Sequence, residues 1–110
     1  MGTYNILVQK PKSNLDIKLG GKFVKEDVDN FMLEFNDTLK TINPKEYDIS
    51  FDVNELQVSP QEMVPLLEDC FKYYKALGFK KIVINVGDNA ILKMQVNRVA
   101  RSAGIDYEII

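Results

Sequence analysis

Five short stretches of the chain are rich in apolar residues, and most of them alternate apolar with polar positions, as half-buried β-strands do. The stretches cover residues 4–9, 15–19, 47–53, 80–86 and 105–109. Residues 11–14, which contain Pro and Asn, are predicted to form a turn that joins the first two strands into a hairpin. The glycine pair Gly20 and Gly21 is expected to end the second strand, and residues 54–58 are expected to form a loop after the third.

Three longer stretches repeat apolar residues at three- and four-residue steps, which predicts amphipathic α-helices between the later strands. The first is predicted over about residues 25–42, where Pro44 is expected to stop it because Pro disfavours helical geometry in the residue before it. The third is predicted to follow a turn, to be capped by Asp88 or Asn89, and to run to Ser102 or Ala103.

The second helix is predicted to begin with Ser59 as its N-cap and Pro60 at its first helical position. Gly78 is expected to close it, since glycine readily adopts the left-handed conformation found after helix ends. Pro65 lies inside this stretch, where it would remove a backbone hydrogen bond. The helix therefore either bends at Pro65 or has its regular part begin there.

The order of elements, ββαβαβαβ, predicts an α/β fold in which a hairpin precedes parallel strands joined by right-handed crossovers. A sheet covered on both faces has continuously apolar strands. Here Asp16, Ser50 and Asp52 alternate with apolar neighbours, so we expect a mixed sheet of about five strands with three helices on one face and an open second face. The 110 residues match the size of a single domain, 1–110.

Composition excludes several classes of function. The chain has 14 Lys and Arg against 16 Asp and Glu, a net charge of −2, whereas general nucleic-acid binders are far more basic. It has no His and one Cys, so a Cys/His zinc site and an internal disulfide are excluded, and a reducing, cytoplasmic location is expected. The apolar runs are much shorter than the roughly 20 residues that span a membrane. We therefore expect no nucleic-acid or membrane partner, no metal and no cofactor.

The element order and the residues around the second helix start resemble the STAS domain, the fold of bacterial anti-sigma factor antagonists. In that family an Asp-bearing strand leads to an Asp-Ser-Ser-Gly-Leu element at a helix start, where an anti-sigma kinase phosphorylates a serine. Here Asp52 matches the strand end and residues 59–63 take the place of the element. Ser59 falls on its Asp, while Pro60 and Gln61 fall on its two serines. The resemblance implies a non-enzymatic module that binds a regulatory protein, such as an anti-sigma-factor-like partner.

Two surfaces are candidates for binding such a partner. One is the loop before the second helix, where Ser59 is the only hydroxyl available for phosphorylation unless it serves as a plain N-cap. The other is the outward face of the third helix, where exposed apolar residues lie beside arginines, as in many protein interfaces. The members are Ser59, Gln61 and Glu62 in the loop, and Ile91, Met94, Arg98 and Arg101 on the helix.

Other residues have less specific interpretations. The outward Leu33 of the first helix is a candidate to extend this surface or to form a homodimer. Asp48 and Asp52 share a strand face but lie about 13 Å apart, too far to share a metal ion, and are expected on a solvated face. Cys70 lies in an apolar stripe without a nearby base and is expected to be an inert core residue.

Two alternatives to the interaction module stay open at this stage. One is a domain that binds a small ligand, either a lipid or a nucleotide. The other, less favoured because no catalytic residues are expected, is a small enzyme.

Overall fold

Five strands and three α-helices follow one another in the predicted order in the computed structural model, which describes residues 2–110. They are β1 (Thr3–Gln9), β2 (Asn14–Gly21), α1 (Lys25–Leu39), β3 (Asp48–Leu56), α2 (Val64–Leu77), β4 (Ile82–Asn85), α3 (Ala90–Ala103) and β5 (Glu108–Ile109). The strands form one sheet of order β1-β2-β3-β4-β5, with β1 antiparallel to β2 and the other neighbours parallel. The predicted mixed α/β sheet is confirmed.

The three helices cover one face of this sheet. Each helix connects neighbouring parallel strands in the same direction along the sheet, and right-handed crossovers then place all of them on the same side. Alternate residues of β2 and β3, such as Leu15 and Ile49, are buried beneath the helices. The residues between them, such as Asp16 and Ser50, face the other side and are only partly buried. The prediction of one open sheet face is therefore confirmed.

Aromatic side chains join the sheet to α1 and α2 in the core. The ring of the buried Tyr74 lies 5.3 Å from that of Phe35 on α1 and 5.1 Å from that of Phe51 on β3, measured between centroids. On α3 the predicted inward residues Leu92, Val99, Ala100 and Ala103 are buried, and Val96 is half-buried. The periodicity of α3 therefore identified its core face correctly.

The predicted ends of the second and third strands are both wrong, and they are wrong for the same reason. The strand β2 continues through Gly20 and Gly21, and β3 continues to Leu56 through residues expected to form a loop. These extensions pair with each other, Gly20 with Glu55 and Gly21 with Leu56. The register of the pairing between β2 and β3 shifts between Lys18 and Gly20. Gly20 is buried, and a Cβ there would lie 3.0 Å from the Thr3 hydroxyl oxygen, so its lack of a side chain permits close strand packing.

The first and third helices differ in how their ends are stabilised. α1 ends at Leu39 rather than at residue 42, and tighter turns follow in which Thr41 and Ile42 donate to carbonyls three residues back. α3 begins as predicted, because the Asn89 side chain accepts a hydrogen bond from the Leu92 N–H at 3.0 Å.

No helix within residues 2–110 combines the length and the apolar character needed to cross a membrane.

The last strand is shorter than predicted. β5 covers only Glu108–Ile109 instead of residues 105–109. Backbone bonds at Ile110, which donates to Ile84 and accepts from Val86, continue the contact with the strand β4 and the residue after it. Ile105 is instead buried in the core after the end of α3.

Candidate functional site

The start of α2 differs from the predicted N-cap arrangement. A single 3-10 turn, Gln61–Met63, follows Pro60, and the regular helix begins only at Val64. Pro65 lies in the first turn of α2, where its missing N–H leaves no helical hydrogen bond unmade. The second of the two interpretations of Pro65, a late start of the regular helix, is essentially correct. The prediction that Ser59 is the N-cap is wrong, since neither the turn nor the helix has a side-chain cap.

Ser59 is held by a residue of α3 instead. The Gln95 side chain accepts a hydrogen bond from the Ser59 N–H and donates one to the Ser59 carbonyl, each at 2.9 Å. Both bonds use the Ser59 backbone, and neither uses its hydroxyl. The side chain is half-buried at this position. Gln95 therefore fixes the loop before α2 against α3 while leaving the Ser59 hydroxyl free of both bonds.

This contact brings the two predicted surfaces together. Gln95 lies four residues after Ile91 and three before Arg98, spacings that make residues neighbours on a helix. The loop that contains Ser59 therefore lies along one border of the outward face of α3. Gln95 was not singled out from the sequence, because its partner is 36 positions away and no local pattern marks it.

The outward face of α3 is exposed and positively charged. Ile91 and Met94 are 68% and 64% exposed, and Arg98 and Arg101 are exposed beside them. With Lys93, the helix has three cations and no carboxylate, although the whole chain is slightly acidic. None of the ion pairs found among residues 2–110 involves these cations. Their charge is therefore not neutralised by the described part of the chain.

Leu33 is also exposed, at 69%, but it belongs to a different region. It lies on α1, which packs against β1, whereas α3 packs against α2. With α2 between the two helices, Leu33 is not placed to extend the α3 surface.

The open face of the sheet contains a groove of about 320 Å³ that is lined by both polar and apolar side chains. Two cross-strand rows form it: Lys18 lies opposite Asp52, and Asp16 lies opposite Ser50. The Asp16 carboxylate accepts a hydrogen bond from Gln9 at 3.1 Å, and the Ser50 hydroxyl donates to Asn14 at 3.1 Å. These side chains thus satisfy one another rather than converging on a single point. Among the described residues no group of three or more potential ligands is placed to hold a metal ion.

The Asp52 carboxylate is unsuited to act as a base. Its oxygen accepts hydrogen bonds from the Asn54 side chain at 2.7 Å and from the Asn54 N–H at 3.1 Å. These bonds, with the charge of Lys18, lower the pKa of Asp52 below its ordinary value. A carboxylate held in its ionised form in this way is a weak proton acceptor at neutral pH.

The thiol of Cys70 lies on the core-facing side of α2. Burial, with a smaller contribution from Asp69, raises its pKa to about 11, against the opposing effect of a hydrogen bond from Tyr74. A thiol with so high a pKa is almost entirely protonated at neutral pH and is a poor nucleophile.

No protein-family model matches the chain, and no curated protein matches it significantly. The STAS resemblance, which rests on the element order and on residues 52–63, therefore stays a prediction.

Proposed function

We propose that the protein is a non-enzymatic, STAS-like module of the cytoplasm that binds a regulatory protein, such as an anti-sigma-factor-like partner. The binding surface consists of the outward face of α3 together with the loop formed by residues 59–62. The observation that supports the proposal is the contact between Gln95 and Ser59, which joins the loop to the exposed helix face. The loop and the outward face of α3 would then form one continuous binding surface.

The charge of this surface indicates the chemistry of the partner. Arg98 and Arg101 lie beside the apolar side chains of Ile91 and Met94, α3 carries no carboxylate, and the loop contributes a single one, that of Glu62. Complementary interfaces pair such a surface with an apolar contact bordered by acidic residues, and the charges accelerate association. The partner is therefore expected to present Asp or Glu around an apolar patch.

The same geometry suggests how phosphorylation would act. The Ser59 hydroxyl is half-buried and is not used by Gln95, so it is the proposed phosphoacceptor of the loop. A phosphate there would add negative charge close to the basic face of α3. It would consequently weaken the binding of an acidic partner.

The non-enzymatic part of the proposal rests on the two groups with the clearest potential for chemistry. The pKa of Cys70 is raised to about 11, which disfavours its thiolate, and the pKa of Asp52 is lowered, which disfavours proton uptake. Each shift moves the group away from the value that nucleophilic or acid–base catalysis near pH 7 requires.

Self-association is a second proposed mode of binding, favoured by the edge strand β1. Charged residues and Pro usually protect the edge of a sheet from pairing with another strand. None of the seven residues of β1 is charged or is Pro. Two copies of β1 paired antiparallel about Ile6 would place Tyr4 opposite Val8, with no like charges in contact. Light scattering tests this mode: a Leu7→Lys variant, changed at a half-exposed position of the strand, should reduce any dimer seen for the wild type.

A capture experiment tests the principal proposal. The wild type, the double variant Met94→Asp/Arg98→Glu and the control Leu33→Asp are immobilised and exposed to lysate of the native host. Leu33 matches Met94 in exposure but lies on α1. An acidic protein retained by the wild type and by Leu33→Asp, released by salt and absent from the double variant, is the expected result. Equal retention by a folded double variant would overturn the proposal, and an increase of one phosphate in the intact mass of the bait would support phosphorylation of Ser59.

A further inference from the structure

An apolar cavity of about 100 Å³ lies between the sheet and the helix layer. Five aromatic side chains contribute to its wall: Phe23 before α1, Phe31 of α1, Phe51 of β3, and Phe71 and Tyr74 of α2. Most of the remaining lining is aliphatic. Protein interiors rarely leave spaces of this size unfilled, and those lined by apolar groups stay free of water. The cavity therefore favours an apolar occupant.

The packing of the helices explains where this space comes from. α1 and α2 are joined towards their C-terminal ends, where Phe35 contacts Tyr73 and Tyr74 and the Tyr73 hydroxyl donates to Asn36. Nearer the N-terminal ends of the two helices, Val28 and Phe31 of α1 and Leu67 and Phe71 of α2 line the cavity instead.

Phe23 lies between the cavity and a groove on the outside of the protein. This side chain lines both the cavity and an outer groove of about 560 Å³ that runs between residues 22–25 and 60–69. Movement of Phe23 would connect the two spaces. Both lie toward the carboxyl ends of β2 and β3, the end of a parallel sheet at which α/β proteins generally bind ligands.

The polar groups of the cavity wall are few, and most are already engaged. The Gln95 amide is bonded at both ends to the Ser59 backbone, and the Cys70 sulfur is hydrogen-bonded to Tyr74. Ser59 also lines the cavity, and its hydroxyl takes no part in the bonds to Gln95. The wall thus offers apolar and aromatic surface with one hydroxyl for a directed hydrogen bond.

We propose that this cavity binds a small monocyclic aromatic molecule that bears a single hydroxyl group, with phenol as the simplest example. The ring lies among Phe31, Phe51, Phe71 and Tyr74, and its hydroxyl bonds to Ser59. An apolar cavity of about 150 Å³ admits benzene in another protein. A single ring therefore needs only a modest adjustment of flexible side chains here, whereas a bicyclic molecule does not fit. This binding activity is distinct from partner binding on the outer face of α3, but it uses the same Ser59 hydroxyl that is the proposed phosphoacceptor.

Titration calorimetry and thermal shift with phenol and benzene as probes test the proposal. The wild type should bind both, and each should raise the unfolding midpoint, since a ligand that binds only the folded state stabilises it. Ser59→Ala should weaken phenol binding about five-fold, the effect of one hydrogen bond, and leave benzene binding unchanged. No saturable binding of either probe to the folded wild type would overturn the proposal, as would equal weakening of phenol and benzene by Ser59→Ala.

A second set of variants locates the site. Val96→Phe adds bulk to a cavity-lining position and should abolish binding of both probes, whereas Leu33→Phe adds a ring at an exposed position and should not. Cys70→Met adds bulk at another lining position and is the alternative cavity-filling variant if Val96→Phe does not fold. Undiminished binding to a folded filling variant contradicts this location. Capture of a protein partner is independent of both results, so the two proposals can fail separately.

Discussion

The side-chain amide of Gln95 and the backbone of Ser59 exchange two hydrogen bonds, each 2.9 Å long. A glutamine amide reproduces in this way the donor and acceptor pair that a neighbouring strand would offer. After Gln57, whose N–H donates to Gly21 of β2, the described residues leading to α2 do not belong to a strand. Gln95 therefore takes the place of secondary structure in fixing the loop that the proposed function uses.

The first prediction concerns the energetic value of this contact. Gln95→Leu keeps the approximate volume of the side chain but leaves the N–H and carbonyl of Ser59 without their partner. We expect a loss of about 1–3 kcal/mol in the free energy of unfolding, measured by urea denaturation, because unpaired and partly buried backbone groups are costly. Gln61→Leu, at an exposed position, is the matched control and should change stability by less than about 0.5 kcal/mol.

A companion variant, Gln95→Glu, separates the two bonds. Its ionised carboxylate can accept from the Ser59 N–H but cannot donate to the carbonyl, so it should be less stable than the wild type at neutral pH. Protonation at low pH restores a donor, and the difference from the wild type should then shrink. A stability difference independent of pH would contradict this account.

Much of the fold could be predicted from local patterns because the physical cause is itself local. Alternation along β3 determines which residues face the helices, and the spacing of Leu92 and Val99 determines the inward face of α3. The exposure of Met94 follows from the same geometry. These features depend only on the periods of a strand and a helix.

The features that could not be predicted depend on partners distant in sequence. Gly20 stays in a strand because Glu55 pairs with it, and this pairing overrides the usual effect of glycine on strands. Ser59 resembles a helix cap in sequence, but Gln95 binds its backbone and a 3-10 turn separates it from α2. The cavity beneath the helices depends on the relative placement of several elements and leaves no mark in the sequence of any one of them.

The second prediction concerns the reactivity of Cys70. Because burial raises the pKa of its thiol to about 11, the thiolate fraction at pH 8 should be about 100-fold below that of an ordinary cysteine. The reaction with a disulfide reagent such as Ellman's should be correspondingly slow in the folded protein. Adding denaturant provides the control, since the same thiol should then react at the rate of a free cysteine. Fast labelling of the folded protein at pH 8 would contradict the raised pKa of the Cys70 thiol.

The third prediction concerns stability in acid and rests on Asp27. This buried carboxylate accepts hydrogen bonds from the Val24 N–H at 3.0 Å and the Gly2 N–H at 3.1 Å, and these bonds lower its pKa. A lowered pKa in the folded state contributes stability above the unfolded-state value of about 3.9 and loses it as the pH falls through the folded-state pKa. Asp27 should therefore stabilise the protein at neutral pH and contribute progressively less in acid.

The test of Asp27 compares two variants across pH. Asp27→Asn should unfold at a lower urea concentration than the wild type at pH 6, and the gap should narrow below about pH 4 as the wild-type carboxyl becomes protonated. Asp29→Asn removes an exposed carboxylate from the same helix, where it pairs with Lys25, and should have little effect. A gap between Asp27→Asn and the wild type that stays constant over this range would show that the charge of Asp27 does not contribute.

The last prediction compares two glycines that share a backbone conformation but differ in their surroundings. Gly87 has φ of 59° and Gly104 has φ of 70°, both in the left-handed region that disfavours other residues. A Cβ on Gly87 would clash with the Asn54 side-chain oxygen, whereas a Cβ on Gly104 would meet nothing within 4 Å. Gly104→Ala should therefore lower the free energy of unfolding only by the backbone strain, about 1 kcal/mol. Gly87→Ala should lower it clearly more.

The excess cost at Gly87 should come from the contact with Asn54, and a double variant isolates it. Asn54→Ala removes the side-chain oxygen that the new methyl group would meet, so Gly87→Ala should be less destabilising in an Asn54→Ala background than in the wild type. The double-mutant cycle, measured by urea denaturation, reports this coupling directly. Because Asn54 belongs to β3 and Gly87 to the turn before α3, a positive coupling would show that the close approach of these two segments limits how α3 is positioned. Equal costs of Gly87→Ala in the two backgrounds would instead place the strain in the backbone alone.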